Sequence, residues 1–292
     1  MSIEPGEEEN VTEKLRTQWH PAFCSAIKLE LMEDDMYLDY QNEYNLNTKP
    51  LQIDLLIVKK IREVEIKNEI GKLFRTHNII EYKSPKDSMN VSTFLKVIAY
   101  ACLYKTHEKY VNDIKLDDIT VTLVREAKPE KLFRWLEENG YQIDERYQGI
   151  FYVRKESYFP IQIVISKKLS KENQKWLTLL SSDLNEEDAK RVVSQIELLT
   201  QKPEKMFGDS VLQVALKENE KLFDKMRREN KDMCDALRKL MEPEMKEALA
   251  QQRKEIILKF LNAGNSAEDI SRIMQIPLEE VRGAEKEMLQ LV

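Results

Sequence analysis

The chain holds three cysteines and three histidines among 292 residues, and each shortage removes a class of chemistry. Cys24, Cys102 and Cys234 lie far apart with no C-x-x-C spacing. They read as reduced structural thiols and argue against a zinc site. With only His20, His77 and His107, a histidine-based triad has little support, and a single catalytic histidine stays open. Glycine (7) and proline (9) are sparse too, so long irregular loops should be few. No apolar run approaches the roughly 20 residues that span a bilayer. The opening stretch MSIEPGEEEN is acidic and lacks the basic and apolar regions of a secretory signal, so a cytoplasmic place without membrane attachment is expected. A net charge of −6 argues against bulk attraction to nucleic acid while leaving a local basic groove open.

What is present is 42% hydrophobic and 34% charged, the balance of a helix-rich chain, and 292 residues suffice for one large domain and a smaller appendage or for two modest domains. Residues 1–18 form an acidic leader, 19–200 an α/β domain and 201–292 a helical region. The spacing of Phe23, Ala26, Ile27 and Leu31 predicts a helix from Trp19 to Met32, with Pro21 in its first turn. Strands are expected at Tyr37–Tyr40, Leu51–Lys59, His77–Lys83, Ile119–Val124, Gly149–Val153 and Ile161–Ser166. Helices are expected at Thr93–Lys105 and at Glu130–Asn139, the second closed by Gly140. From Lys171 onward the pattern reads as wholly helical, beginning with the amphipathic KENQKWLTLLSSDL. Phe223, Met226, Asn230, Met233, Leu237 and Leu240 alternate at three- and four-residue steps. Residues 223–240 therefore read either as a coiled-coil seam registered by Asn230 or as one helix packed on the domain. Residues 254–290 read as three helices, with Gly264 a C-cap, Ser266 and Asp269 a capping box, and Pro277 in a first turn.

The chemistry concentrates on charges placed in apolar strands. Asp54 interrupts QIDLLIVKK, and Glu81 and Lys83 interrupt HNIIEYK. Desolvated charge has to be paired or bound to metal. Glu81 and Lys83 are two residues apart, so both leave the same face of their strand. If the two strands pair, Asp54 and Glu81 share one cation and Lys83 reaches the water beside it. Two hard carboxylates suit Mg²⁺ or Mn²⁺ rather than zinc, and the main-chain carbonyl of Tyr82 adds a ligand. Glu30 falls on the packed stripe of the first helix, as a further carboxylate. Lys96, Tyr100 and Tyr104 follow one another at four-residue spacing on the helix after Lys83, where they would orient a phosphate or the attacking water.

In that order, Glu30, Asp54, Glu81-x-Lys83 and a helix with polar and tyrosine positions resemble the PD-(D/E)XK phosphodiesterase superfamily. The strings PLQIDLLIVKK, NEIGKLFRTHNIIEYKSPKDS and VIAYACLYK are similar to its transposase-associated branch, the recombination-promoting nuclease (Rpn-like) family. The resemblance covers Trp19 to Leu184. It implies a restriction-endonuclease-like mixed sheet flanked by helices, cutting DNA with Mg²⁺ or Mn²⁺ in transposition or recombination. By position, Asp54 and Glu81 would bind the metal and Lys83 would position the nucleophilic water. Ile53 stands where the motif's name has proline, a departure that leaves the ligands untouched.

Plainer readings stand beside these. Glu81 and Lys83 alone would suit an ion pair on an edge strand. Glu30 would simply reach the surface if the helix register slips. Tyr100 and Tyr104 also fit a core, and His77 a structural or groove-lining role. For the whole chain, the alternative is a catalytically degenerate nuclease fold that binds DNA or protein as a scaffold. The last helix carries Glu279, Glu280, Glu285 and Glu287, which would repel phosphates. The C-terminal helices are therefore expected to pack on other helices or to pair two copies rather than read DNA.

Overall fold

The computed structural model describes residues 17–42, 55–61, 64–106, 114–155, 159–229, 253–274 and 276–290. The chain divides into a compact unit reaching to Met226 and a second from Arg227. The first is α/β, built on a seven-stranded mixed sheet with helices on both faces. Its strands are β1 (Leu38–Asn42), β2 (Leu55–Lys60), β3 (His77–Lys83), β4 (Ile119–Arg125), β5 (Gln142–Tyr147), β6 (Ile150–Arg154) and β7 (Ile161–Ile165), in the spatial order β1-β2-β3-β4-β7-β6-β5. β1, β2 and β3 pair antiparallel; β3, β4 and β7 are parallel; β7, β6 and β5 are antiparallel. The parallel strands sit centrally with apolar runs covered on both sides, as parallel pairing requires.

Alternation along β3 sorts the two faces. Ile79 joins Val121, Leu123, Ile161 and Ile163 in a core closed by α2 (Val91–Thr106) and α3 (Glu130–Glu138), through Phe94, Val97, Tyr104, Leu132 and Leu136. On the opposite face Tyr82 stacks on Phe23 of α1 (Trp19–Glu30), ring centres 4.4 Å apart. α1 is buried nearly all round, because α5 (Lys202–Glu218) packs on its outer side. The same face carries a buried polar row: Asn78 bonds Thr120 at 2.5 Å, and Gln162 donates to Thr122 Oγ1 at 3.0 Å. Gln162 also donates to the carbonyl of Ile70, fixing the β2–β3 connection against the sheet.

One expectation from periodicity fails, and one strand goes unexpected. Residues 171–184 are not an amphipathic helix; among them only Leu177–Leu179 form a 3₁₀ turn. Asn68 and Gln174 exchange side-chain hydrogen bonds and Glu30 takes the amides of residues 175–177, so this segment's polar groups are satisfied without a helix. β5 escapes the sequence reading because QIDERY is mostly polar, with Ile143 its one aliphatic residue; it is an edge strand whose charges blunt that edge. Helices α4 (Glu186–Glu197), α5 and α6 (Glu220–Glu229) follow, and α5 and most of α6 fall within the first unit although they lie beyond residue 200. Phe223 and Met226 of the expected seam are buried, and its remainder from Asn230 to Leu240 lies outside the described residues.

In the second unit, residues 253–262, α7 (Ala267–Met274) and α8 (Leu278–Gln290) are helical. Ile257, Ala267, Ile270, Val281 and Ala284 form their core. Gly264 has φ +84°, the left-handed conformation of a C-cap, and Asp269 N donates to Ser266 Oγ at 3.1 Å. Among the described residues no helix is long and apolar enough to cross a membrane.

Candidate active site

Glu81 and Lys83 lie at the carboxyl end of β3, where β3 and β4 run parallel. Ligand sites of open α/β sheets favour that end. Glu81 is 5% exposed, and its Oε1 stands 2.6 Å from Lys83 Nζ. Lys83 keeps 26% of its side chain exposed, so the ion pair opens toward solvent through the lysine. This is a central strand, paired on both sides, and not the edge strand of the plainer reading.

β2 and β3 pair as the sequence requires, with Leu55 opposite Glu81. Asp54, the residue just before Leu55, lies outside the described residues. The backbone of Tyr82, proposed to lend its carbonyl, runs between Glu81 and Lys83, while its ring goes to the α1 face. Burial, then the carboxylates of Glu126, Asp87 and Glu218, push the Tyr82 hydroxyl well above its usual range.

Glu30 is not brought to this cluster. α1 covers the Tyr82 face, opposite the side chains of Glu81 and Lys83. The Glu30 carboxylate accepts the amides of Lys175 (3.2 Å), Trp176 (2.5 Å) and Leu177 (2.8 Å). Burial pushes its carboxyl up to about 7, against those three amides and the nearby Lys175 charge, which pull it down. Its surroundings are a cavity of about 570 Å³ shared with Asp34, Asn68 and Gln174.

The accessory positions on α2 fall on the proper side of the sheet. Tyr104 Oη lies 2.9 Å from His77 Nδ1, which pins the end of α2 to the start of β3. From Tyr104 back to Lys96 is about 12 Å along a helix, and from His77 to Glu81 about 13 Å along a strand. Lys96 therefore comes roughly level with Glu81 along the strand direction. It rests 5.3 Å from the Tyr100 ring centre. Tyr100 is 4% exposed, and among the described residues its hydroxyl finds no hydrogen-bond partner. His77 itself belongs to the far end of the strand, with its pKa held below the usual value by burial and by Lys59.

One residue the sequence reading passed over joins the cluster. Arg125 ends β4 directly beside Lys83 in the parallel register, one residue past the expected strand end at Val124. Its guanidinium donates to the carbonyls of Asp87 (3.2 Å) and Ala127 (3.1 Å). The available signal was a cation closing the apolar run ITVTLVR.

Among the described residues no three His, Cys, Asp or Glu side chains stand close enough together to hold a metal ion. No protein-family model matches the chain, and no curated protein or solved structure matches it either.

Proposed function

We propose that the chain is a metal-dependent DNA endonuclease of PD-(D/E)XK type, with a restriction-endonuclease-like core acting in the cytoplasm in transposition or recombination. The observation that carries this is the Glu81–Lys83 pair: a nearly buried carboxylate 2.6 Å from a half-exposed lysine, at the carboxyl end of a central parallel strand. The strand order and the helices on both faces support it. Glu81 and the Tyr82 carbonyl offer hard oxygens, with Asp54 as the second carboxylate, a donor set that suits Mg²⁺ or Mn²⁺. Bound there, the ion would lower the pKa of a water and offset charge on the scissile phosphate. Lys83 donates to that water and steers it, and Glu81 keeps the lysine in place. Lys96 and Tyr100 border the approach from α2. Glu30 supports the site from a distance by holding residues 175–177. The C-terminal helices pair two copies, bringing one site to each DNA strand.

A nuclease fold kept for binding alone has one observation in its favour, since Glu81 and Lys83 neutralise each other without a metal. Plasmid DNA decides between the two. The purified protein should nick it with Mg²⁺ or Mn²⁺ and not with EDTA, and Asp54→Ala and Lys83→Ala should abolish nicking while staying folded. Equal nicking by all three proteins would mark a contaminant, and binding without nicking would favour the scaffold.

A further inference from the structure

Arg125 stands out among the cations around this end of the sheet. Lys83 is neutralised by Glu81, Lys86 by Glu218 at 3.2 Å and Lys128 by Glu130 at 3.2 Å. Among the described residues no carboxylate pairs with Arg125. The nearest candidates are engaged elsewhere: Asp87 Oδ2 accepts the Ser84 hydroxyl at 2.7 Å, and buried Glu126, on the other face of β4, holds Ser181.

The guanidinium is nevertheless held in place. Its Nε and Nη1 donate to two main-chain carbonyls, one on the turn after Lys83 and one just past β4. A guanidinium carries five N–H donors in a rigid fork, so donors remain to meet an incoming group, and the fork is fixed before that group arrives. Arg125 and Lys83 are direct neighbours across two parallel strands, on one face. Lys83 already has Glu81 as its counter-charge, so the capacity to meet a further anion lies with Arg125.

We propose that Arg125 binds a phosphate of the nucleic-acid backbone next to the scissile one, whose attacking water Lys83 steers. Resting on the nuclease reading, this names the group that seats DNA at the site. Arginine suits it because its fork meets phosphate oxygens in pairs. Phosphate contacts of this kind position the duplex without reading sequence.

The test is binding of a fluorescein-labelled DNA duplex, followed by anisotropy with EDTA present so that no cleavage occurs, over a series of salt concentrations. Arg125→Met should weaken binding about tenfold, the worth of one charge-assisted contact, and should lower the salt slope by about 0.9. Arg125→Lys should keep the slope, because the charge stays, yet bind several-fold more weakly because the fork is gone. It also keeps the proposal testable if Arg125→Met unfolds. Unchanged affinity and slope in the folded variants would overturn the role of Arg125, and a wild type that still nicks plasmid would leave the nuclease reading standing. A wild type that neither binds nor nicks DNA would overturn both.

Discussion

Glu81 is a carboxylate that β3 carries into the core, and Lys83 is the price of keeping it ionised. Removing the lysine alone takes a charge partner from a nearly buried carboxylate, the costly half of breaking a buried ion pair. Lys83→Met should therefore lower stability by about 1–3 kcal/mol, less than a fully buried pair would lose because the lysine is part-exposed. The double variant Glu81→Gln, Lys83→Met should recover part of that loss in urea unfolding. Glu30 makes a different test. Its folded pKa of about 7 lies above the ordinary 4.5, so the folded state holds the proton more tightly. That contribution is complete below pH 4.5 and is lost as pH rises through 7. Glu30→Gln, neutral throughout, should flatten this stretch of the stability–pH curve, where the slope is at most about 1.4 kcal/mol per pH unit. An unchanged curve would mean that the three amides and Lys175 cancel the effect of burial.

Among the elements, the hairpin joining β5 and β6 depends on Gly149. Its φ is +76°, and an added Cβ would meet Leu169 N at 2.8 Å and the Lys168 carbonyl carbon at 2.9 Å, both main-chain atoms that cannot swing aside. Gly140 has φ +79° with nothing within 4 Å. Gly149→Ala should therefore cost more than about 2 kcal/mol and Gly140→Ala only about 1, since the second pays for the backbone conformation alone. Equal midpoints in thermal unfolding would refute the difference. The central strands were legible because apolar runs bounded by turn residues have few other uses. β5 was not, because Ile143 alone among its charged and polar neighbours is too little to signal an edge strand. The 171–184 segment misled because Trp176, Leu177, Leu179 and Leu180 suggest a helical stripe, while its partners Glu30 and Asn68 lie more than a hundred residues upstream. The site was legible to the same degree. Glu81 and Lys83 announce themselves as charges in an apolar strand; Glu30 did so equally, and only tertiary contact shows that it serves amides instead. Arg125 looked like an ordinary strand end until the β3–β4 register placed it beside Lys83.

At the scale of the molecule, the second unit has its own small core of Ile257, Ile270 and Val281. Ending the chain after Glu229, which keeps α6 whole, should leave the first unit folded and turn the proposed dimer into a monomer by sedimentation equilibrium. A shortened chain that still dimerised would move the interface into the α/β unit. The central claim is that Glu81, with Asp54, holds the ion that works beside Lys83. The direct measurement is an anomalous difference map from crystals soaked in Mn²⁺. A peak within about 2.5 Å of a Glu81 oxygen and of an Asp54 oxygen is the predicted result. A peak seated instead in the Glu30 cavity, or one more than about 3 Å from both carboxylates, would contradict it.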